Sequence, residues 1–139
     1  INGAAGAIGA GIPFAIGARA AKPDVPIIAF MGDGTFGFHM AEIDTAVRYG
    51  LPFVTVIGND ARWNAEYQIQ LRNYGRERLI GCELLPTRYD AVTLGMGGHG
   101  ELVSNAGDVA AAARRAIESG TPSCLNVMIE GVPAPAMKS

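Results

Sequence analysis

Two apolar segments that each lead into an acidic residue constrain the fold of this chain more than any other feature. Ile27–Phe30 precedes Asp33, which lies between two glycines, and Phe53–Ile57 precedes the pair Asn59 and Asp60. As parallel strands, the two segments would bring both acids to the carboxyl edge of one sheet. Open α/β sheets bind their ligands at that edge. The pattern therefore predicts a functional site there.

Apolar spacing, glycine and proline divide the rest of the chain into alternating helices and strands. We predict helices at 12–21, 39–49, 64–74, 89–96 and 108–118, with Asp108 as the N-cap or a first-turn acid. Strands are predicted at 25–31, 53–57, 102–103 and 123–129, the first of them buried on both faces. Residues 79–85 receive no assignment, and 131–135 are expected to form an exposed tail. The expected fold is α/β: a three-layer, doubly wound domain with a mostly parallel sheet, spanning 1–139.

Composition and net charge argue against several classes of function. A net charge of −2 gives no electrostatic basis for binding nucleic acid or an anionic membrane. No apolar run reaches the ~18 residues that span a bilayer, and no signal peptide is recognisable. Cys82 and Cys124 lack the spacing of a metal or redox motif, so we expect two reduced thiols and a cytoplasmic protein. Because the chain opens at Ile1 within the glycine-rich segment 3–21, we expect it to be part of a longer polypeptide.

The residues around Asp33 suit a phosphate group. Gly32 and Gly34 are expected to allow a tight turn, Thr35 offers a hydroxyl, and amides at the start of the next helix can bind phosphate oxygens. A carboxylate and a phosphate repel each other, so a divalent cation between them is the natural arrangement. These residues predict a diphosphate site with a bound metal ion.

The second strand end supplies further oxygen donors. Asp60 is the candidate second metal ligand, and the backbone carbonyl of Arg62 is the candidate third. Mg²⁺ prefers oxygen donors, and it often takes few protein ligands together with phosphate and water. An ordinary β-turn is the simpler explanation of the glycines, but the strand context and the second acid argue against it.

The glycine-flanked Asp33, Thr35 and an Asn-Asp pair ending 27 residues after Asp33 resemble the thiamin-diphosphate motif. The preceding segment 6–18 resembles the corresponding part of acetolactate-synthase-like enzymes, and the pair with Asp60 resembles a variant carried by some relatives of acetolactate synthase and the 2-hydroxyacyl-CoA lyases. The resemblance covers essentially the whole chain as the diphosphate-binding domain. It implies thiamin diphosphate and Mg²⁺ as cofactors, with C–C bond cleavage or ligation of 2-oxo acids or 2-hydroxyacyl substrates as the activity.

The resemblance also implies roles for individual residues and partners. Asp33 and Asp60 would bind the metal through side chains and Arg62 through its carbonyl. The cofactor-binding residues would be Ile8, Gly32, Gly34, Thr35 and Asn59. Ile8 would lie under the bent cofactor, although core packing is an alternative. The activating Glu of the family lies on a separate pyrimidine-binding domain, so no catalytic residue is assigned here. A partner domain from the same or another chain and a homo-oligomer are expected.

Two positions depart from the usual pattern. Asp60 replaces the commoner Asn, which adds a negative charge but keeps an oxygen donor. Gln68 and Ile69 stand where acetolactate synthases have Gln-Trp, so the substrate remains open. The competing hypothesis is a non-catalytic diphosphate-binding module or an inactive fragment.

The other motifs and side chains of the sequence carry weaker functional signals. The early glycines do not form a dinucleotide fingerprint, and no P-loop or aspartyl-phosphate motif is present. His39 is expected at the surface or as a cap rather than at the cofactor, and His99 in a loop. Trp63 is equally compatible with lining the site and with packing. The arginines Arg72, Arg76 and Arg78 are expected on a solvated face.

Overall fold

The computed structural model describes residues 6–133, and four parallel strands form its centre. The strands are β1 (Ile28–Gly32), β2 (Val54–Asn59), β3 (His99–Val103) and β4 (Ser123–Met128), in the order β1-β2-β4-β3. Gly32 of β1 pairs with Gly58 of β2. The two strands that lead into Asp33 and Asp60 are therefore neighbours that end at one edge, as the sequence predicts.

Six α-helices and two 3₁₀ turns connect the strands within the described residues. The helices are α1 (Gly11–Ala21), α2 (Asp33–His39), α3 (Glu42–Arg48), α4 (Asn64–Tyr74), α5 (Tyr89–Gly95) and α6 (Val109–Glu118), and the 3₁₀ turns are Arg76–Arg78 and Ala106–Asp108. No helix of this part of the chain is long and apolar enough to cross a membrane.

The two faces of the sheet carry separate apolar clusters because side chains alternate along β2. Phe53 and Ile57 pack with Ile12, Phe36 and Ile43 on the face covered by α1, α2 and α3. The opposite face contributes a smaller cluster that is covered by α6: Val54, Val103, Ala112, Ala116 and Leu125. Helices on both faces of a parallel sheet confirm the predicted α/β class.

One part of the second face is open. Phe30 of β1 is 77% exposed and Ile28 is 42% exposed, since α6 reaches only the neighbouring strands. The prediction that the first strand is buried on both faces is therefore wrong. Its bounds also differ, because Val25 lies in the turn before β1 and is exposed.

Several predicted elements have different limits or a different form. The helix predicted at 39–49 is present as α3, but it is shorter, and a separate helix, α2, precedes it from Asp33 to His39 with a break at Met40 and Ala41. Asp108 occupies the N-cap position of α6, as predicted, but it also ends a 3₁₀ turn and its side chain makes no capping hydrogen bond. The helix predicted at 64–74 is confirmed without change. Of the predicted glycine-rich segment and tail, residues 3–5 and 134–135 lie outside the described residues.

Candidate functional site

A cleft of about 410 Å³ opens at the carboxyl edge of β1 and β2. Such a volume lies within the range of small-molecule sites. Its lining includes most of the residues singled out in the sequence: Ile8, Gly32, Asp33, Gly34, Thr35, Asp60, Arg62 and Trp63. The structure thus brings together seven of the eight predicted site residues, and it places Asn59 outside the lining.

Asp33 is the first residue of α2 and is only 2% exposed. Its Oδ2 atom is buried and has no hydrogen-bond partner among the described residues. Burial raises the pKa of Asp33, and the nearby charge of Asp60 raises it further, against the amides of Gly34 and Arg62. A buried carboxylate oxygen with no partner beside a second acid is an environment that a cation would stabilise.

The two glycines next to Asp33 do not form the tight turn predicted from the sequence. Gly32 is extended, with φ −77° and ψ 163°, and Gly34 lies in α2. Neither has a positive φ, so the expected need for glycine flexibility was wrong. Gly34 is required for space instead, because an added Cβ would lie 2.8 Å from ring atoms of Trp63.

Trp63 serves both purposes that the sequence left open. Its ring lies against Gly34 and makes an edge-to-face contact with Phe38, with ring centroids 5.5 Å apart. Trp63 also lines the cleft. The indole therefore forms a wall of the site while it packs the loop after β2 onto α2.

The loop formed by Asp60, Ala61 and Arg62, called the 60–62 loop below, is held from both sides. Ala61 has φ +55°, and it is the one residue other than glycine with a positive φ within the described residues. Its amide donates to Asn59 Oδ1 over 3.1 Å, and its carbonyl accepts from the Leu84 amide over 2.7 Å. The Trp63 amide donates to the Cys82 carbonyl over 2.9 Å. The unassigned segment 79–85 therefore supports this loop.

Asn59 is placed differently from the other predicted cofactor residues. Its side chain is fully buried and is hydrogen-bonded to Asn126, Thr87 and Ala61. These bonds use both its amino group and its oxygen inside the protein. Asn59 shapes the loop beside the cleft and does not line it.

The guanidinium group of Arg62 lies over the Tyr67 ring, 4.5 Å from the centroid. This cation–π contact directs the Arg62 side chain towards α4 and fixes its position at the cleft. The contact involves only the side chain of Arg62. The predicted metal ligand is the backbone carbonyl of Arg62, which belongs to the loop.

The segment after β4 closes the cleft on a side that the sequence analysis missed. Ile129 lines the cleft, and the Val132 carbonyl accepts from Asn64 Nδ2 over 2.8 Å. A Cβ on Gly131 would lie 2.9 Å from Arg62 Nη1 and 3.0 Å from Asp60 Oδ2. Glu66 also lines the cleft. No local motif marks these residues, because chain segments far apart in sequence create the contacts.

The two histidines lie away from the cleft lining. His39 Nδ1 donates to the Gly9 carbonyl over 2.8 Å, which ties the end of α2 to the segment before α1. His99 begins β3 rather than lying in a loop, and it contacts Glu101. Ile8 is 54% exposed and lines the cleft, whereas the neighbouring Ile12 is buried in the core.

Comparison with known proteins relates most of the chain to one family of enzymes. The sequence model of the family described as "Thiamine pyrophosphate enzyme, C-terminal TPP binding domain" matches residues 1–127. The chain is 40% identical over 130 residues to a probable acetolactate synthase of Mycobacterium bovis, covering 93% of this chain and 23% of that protein. It is 33% identical over 132 residues to human 2-hydroxyacyl-CoA lyase 2, covering 91% of this chain and 21% of the relative.

A solved structure of a related enzyme has a similar fold. The thiamine diphosphate-dependent 4-hydroxybenzoylformate decarboxylase of Rhodococcus jostii RHA1 superimposes with a TM-score of 0.78 at 26% sequence identity. The match covers 91% of this chain and 23% of that one. The chain thus spans less than a quarter of the length of the relatives described here.

Proposed function

Because the chain belongs to the family of C-terminal TPP-binding domains of thiamine pyrophosphate enzymes, we propose that its carboxyl-edge cleft binds the diphosphate of thiamin diphosphate through Mg²⁺. The observation that carries the proposal is the buried, unpartnered Oδ2 of Asp33 beside Asp60. A divalent cation between these acids and a diphosphate compensates both sets of charge.

The residues present fit this group. Asp33 and Asp60 offer carboxylate oxygens, and the 60–62 loop offers the carbonyl of Arg62. Gly34 and Thr35 border the cleft where a diphosphate would bind, and Ile8 presents an exposed aliphatic side chain to the cofactor. Asn59 contributes through the shape of the loop.

When bound, thiamin diphosphate supplies a nucleophilic carbon and an electron sink for breaking or forming a bond beside a carbonyl group. The protein residues described here bind and orient it. Asp33 and Asp60 would hold the metal, and Trp63 and Ile129 add apolar surface to the lining of the cleft. None of these residues is proposed to move a proton to or from the cofactor.

The activity proposed for the intact protein is cleavage or ligation of C–C bonds in 2-oxo acids or 2-hydroxyacyl substrates. Relatives with similar identity carry the names acetolactate synthase, 2-hydroxyacyl-CoA lyase and sulfoacetaldehyde acetyltransferase. Names this different leave the substrate open. A pyrimidine-binding domain completes the site in this proposal, and the intact protein is a homo-oligomer.

Isothermal calorimetry of the intact protein tests the metal-bridged site. Thiamin diphosphate should bind with Mg²⁺ and lose most of its affinity in EDTA. Asp33→Ala and Asp60→Ala should each weaken metal-dependent binding at least about 10-fold. Asp60→Asn is the matched control, because the amide keeps an oxygen donor, and it should bind nearly as well as the wild type. Equal cofactor affinity with and without metal would contradict the proposal.

A further inference from the structure

A chain of buried hydrogen bonds connects the start of α5 to the 60–62 loop. We propose that Asn126 and Asp90 are positioning residues for the metal site and act through Asn59. This inference rests on the function proposed above. Asn59 and Asn126 are completely buried, and Asp90 is 2% exposed. None of the three lines the cleft.

The hydrogen bonds run in one direction through these side chains. Asn126 Nδ2 donates to Asp90 Oδ1 over 3.1 Å and to the Thr87 carbonyl over 3.0 Å. Asn59 Nδ2 donates to Asn126 Oδ1 over 2.9 Å and to the same Thr87 carbonyl over 3.1 Å. Asn59 Oδ1 then accepts from the Ala61 amide over 3.1 Å.

The first acceptors of this hydrogen-bonded path, Asp90 and the Thr87 carbonyl, fix the orientation of the Asn126 and Asn59 side-chain amides. An ionised carboxylate and a backbone carbonyl only accept hydrogen bonds, so the amino group of Asn126 must face Asp90 and Thr87. Its oxygen must then face the amino group of Asn59. The remaining oxygen of Asn59 is thereby presented to the 60–62 loop.

Asp90 is held in the charged form that this order requires. Burial disfavours the charge, yet hydrogen bonds from Arg88 and Asn126 keep the pKa of Asp90 below its usual value. Arg88 Nη2 donates to Asp90 Oδ2 over 2.6 Å, and Arg88 Nε donates to both carboxylate oxygens. Arg88 is partly exposed, so it links the buried carboxylate to the surface.

The last hydrogen bond of this path supports the positive φ angle of Ala61. A left-handed conformation is unfavourable for alanine by about 1 kcal/mol, so Ala61 needs compensating contacts. The bond from Asn59 Oδ1 supplies one at the amide of Ala61. Asp60 precedes Ala61 and Arg62 follows it, so a change in this angle redirects both proposed metal ligands.

The decisive experiment compares metal binding in the intact protein with three substitutions. Asn126→Leu has a similar size and can neither donate nor accept. Asp90→Asn removes the charge but keeps an acceptor. Thr55→Val is the matched control: Thr55 is completely buried on β2 and donates to the Ser123 carbonyl, outside the path to the loop.

Mn²⁺, as a paramagnetic probe for the Mg²⁺ site, is titrated in the presence of thiamin diphosphate and followed by electron paramagnetic resonance. Asn126→Leu should weaken Mn²⁺ binding about 10-fold and Asp90→Asn about 5-fold. Thr55→Val should lower the unfolding temperature and leave Mn²⁺ affinity unchanged. Activity of the two positioning variants should recover at saturating Mg²⁺, because the ligands themselves remain.

Unchanged Mn²⁺ affinity in folded Asn126→Leu would overturn the positioning role. If Asn126→Leu does not fold, Asp90→Asn decides, and wild-type affinity in that variant overturns the proposal. A wild type that binds thiamin diphosphate equally well without metal would contradict the proposed function itself. If the wild type needs metal but the variants bind Mn²⁺ with wild-type affinity, only the proposed hydrogen-bonded path is contradicted.

Discussion

Asp33 carries its charge in surroundings that favour the neutral acid. The carboxylate is buried beside Asp60, and its pKa is raised above the ordinary value of 3.8. This raised pKa makes Asp33 a source of instability in the metal-free protein, since the folded state then binds a proton more tightly than the unfolded chain.

We expect Asp33→Asn to raise the free energy of unfolding of the metal-free protein at pH 7 by about 1 kcal/mol. The difference should shrink as the pH falls through the raised pKa, because the wild-type folded state then gains its proton. It should disappear below the ordinary value of 3.8. Urea unfolding in EDTA between pH 7 and about pH 3 measures this, with the exposed Asp24→Asn as control. Equal stability of the wild type and Asp33→Asn at pH 7 would show that burial of the charge is harmless.

The contact between α2 and the 60–62 loop depends on the absence of a side chain at one position. Gly34→Ala places a methyl group 2.8 Å from the Trp63 ring and should lower the free energy of unfolding by about 1–3 kcal/mol. Gly37→Ala, one turn later in α2, meets nothing closer than the Tyr89 hydroxyl at 3.8 Å and is the matched control. That change should be neutral or stabilising, because alanine favours a helix over glycine.

Replacement of the ring identifies the cause. Gly34→Ala should cost less stability when it is added to Trp63→Leu than when it is added to the wild type. Chemical unfolding and thiamin diphosphate affinity of the two single variants and the double variant measure this difference. If Gly34→Ala destabilises equally with either residue at position 63, the steric explanation fails.

The elements show which parts of the fold local sequence can determine. The carboxyl ends of β1 and β2 follow directly from two apolar runs, and α4 follows from its own spacing. The break between α2 and α3 was missed, because the apolar spacing from His39 to Tyr49 fits one continuous helix. The role of Gly34 was assigned to backbone flexibility, whereas a ring 29 positions away determines it. Contacts of this kind, like that of Gly131 with Asp60, arise only in the folded chain.

At the scale of the whole molecule, apolar surface accompanies the cleft. Phe14 is 58% exposed on α1, and Ile8 and Phe30 are exposed near it. Ile12, on the same helix as Phe14, is by contrast a core residue. Contiguous exposed apolar side chains commonly mark a contact with another protein surface. This supports the proposal that the site functions against a partner domain.

We therefore expect the isolated 139-residue chain to turn over neither pyruvate nor a 2-hydroxyacyl-CoA with thiamin diphosphate and Mg²⁺. The intact protein should act on at least one of them. Calorimetry on both proteins separates failure to bind the cofactor from failure of the chemistry. Robust turnover by the monomeric chain would show that the site needs no partner.

The strand order has a consequence for how this chain is made. Among the four described strands, β4 is the last in sequence, yet it lies between β2 and β3 and pairs with both. During synthesis, β2 and β3 leave the ribosome with the edges that will receive β4 still unpaired. Unpaired edges favour aggregation, and pairing across long sequence separations is slow. A ribosome that pauses before Ser123 has emerged would therefore hold a nascent chain with a gap in its sheet, at the stage when chaperones have most to bind.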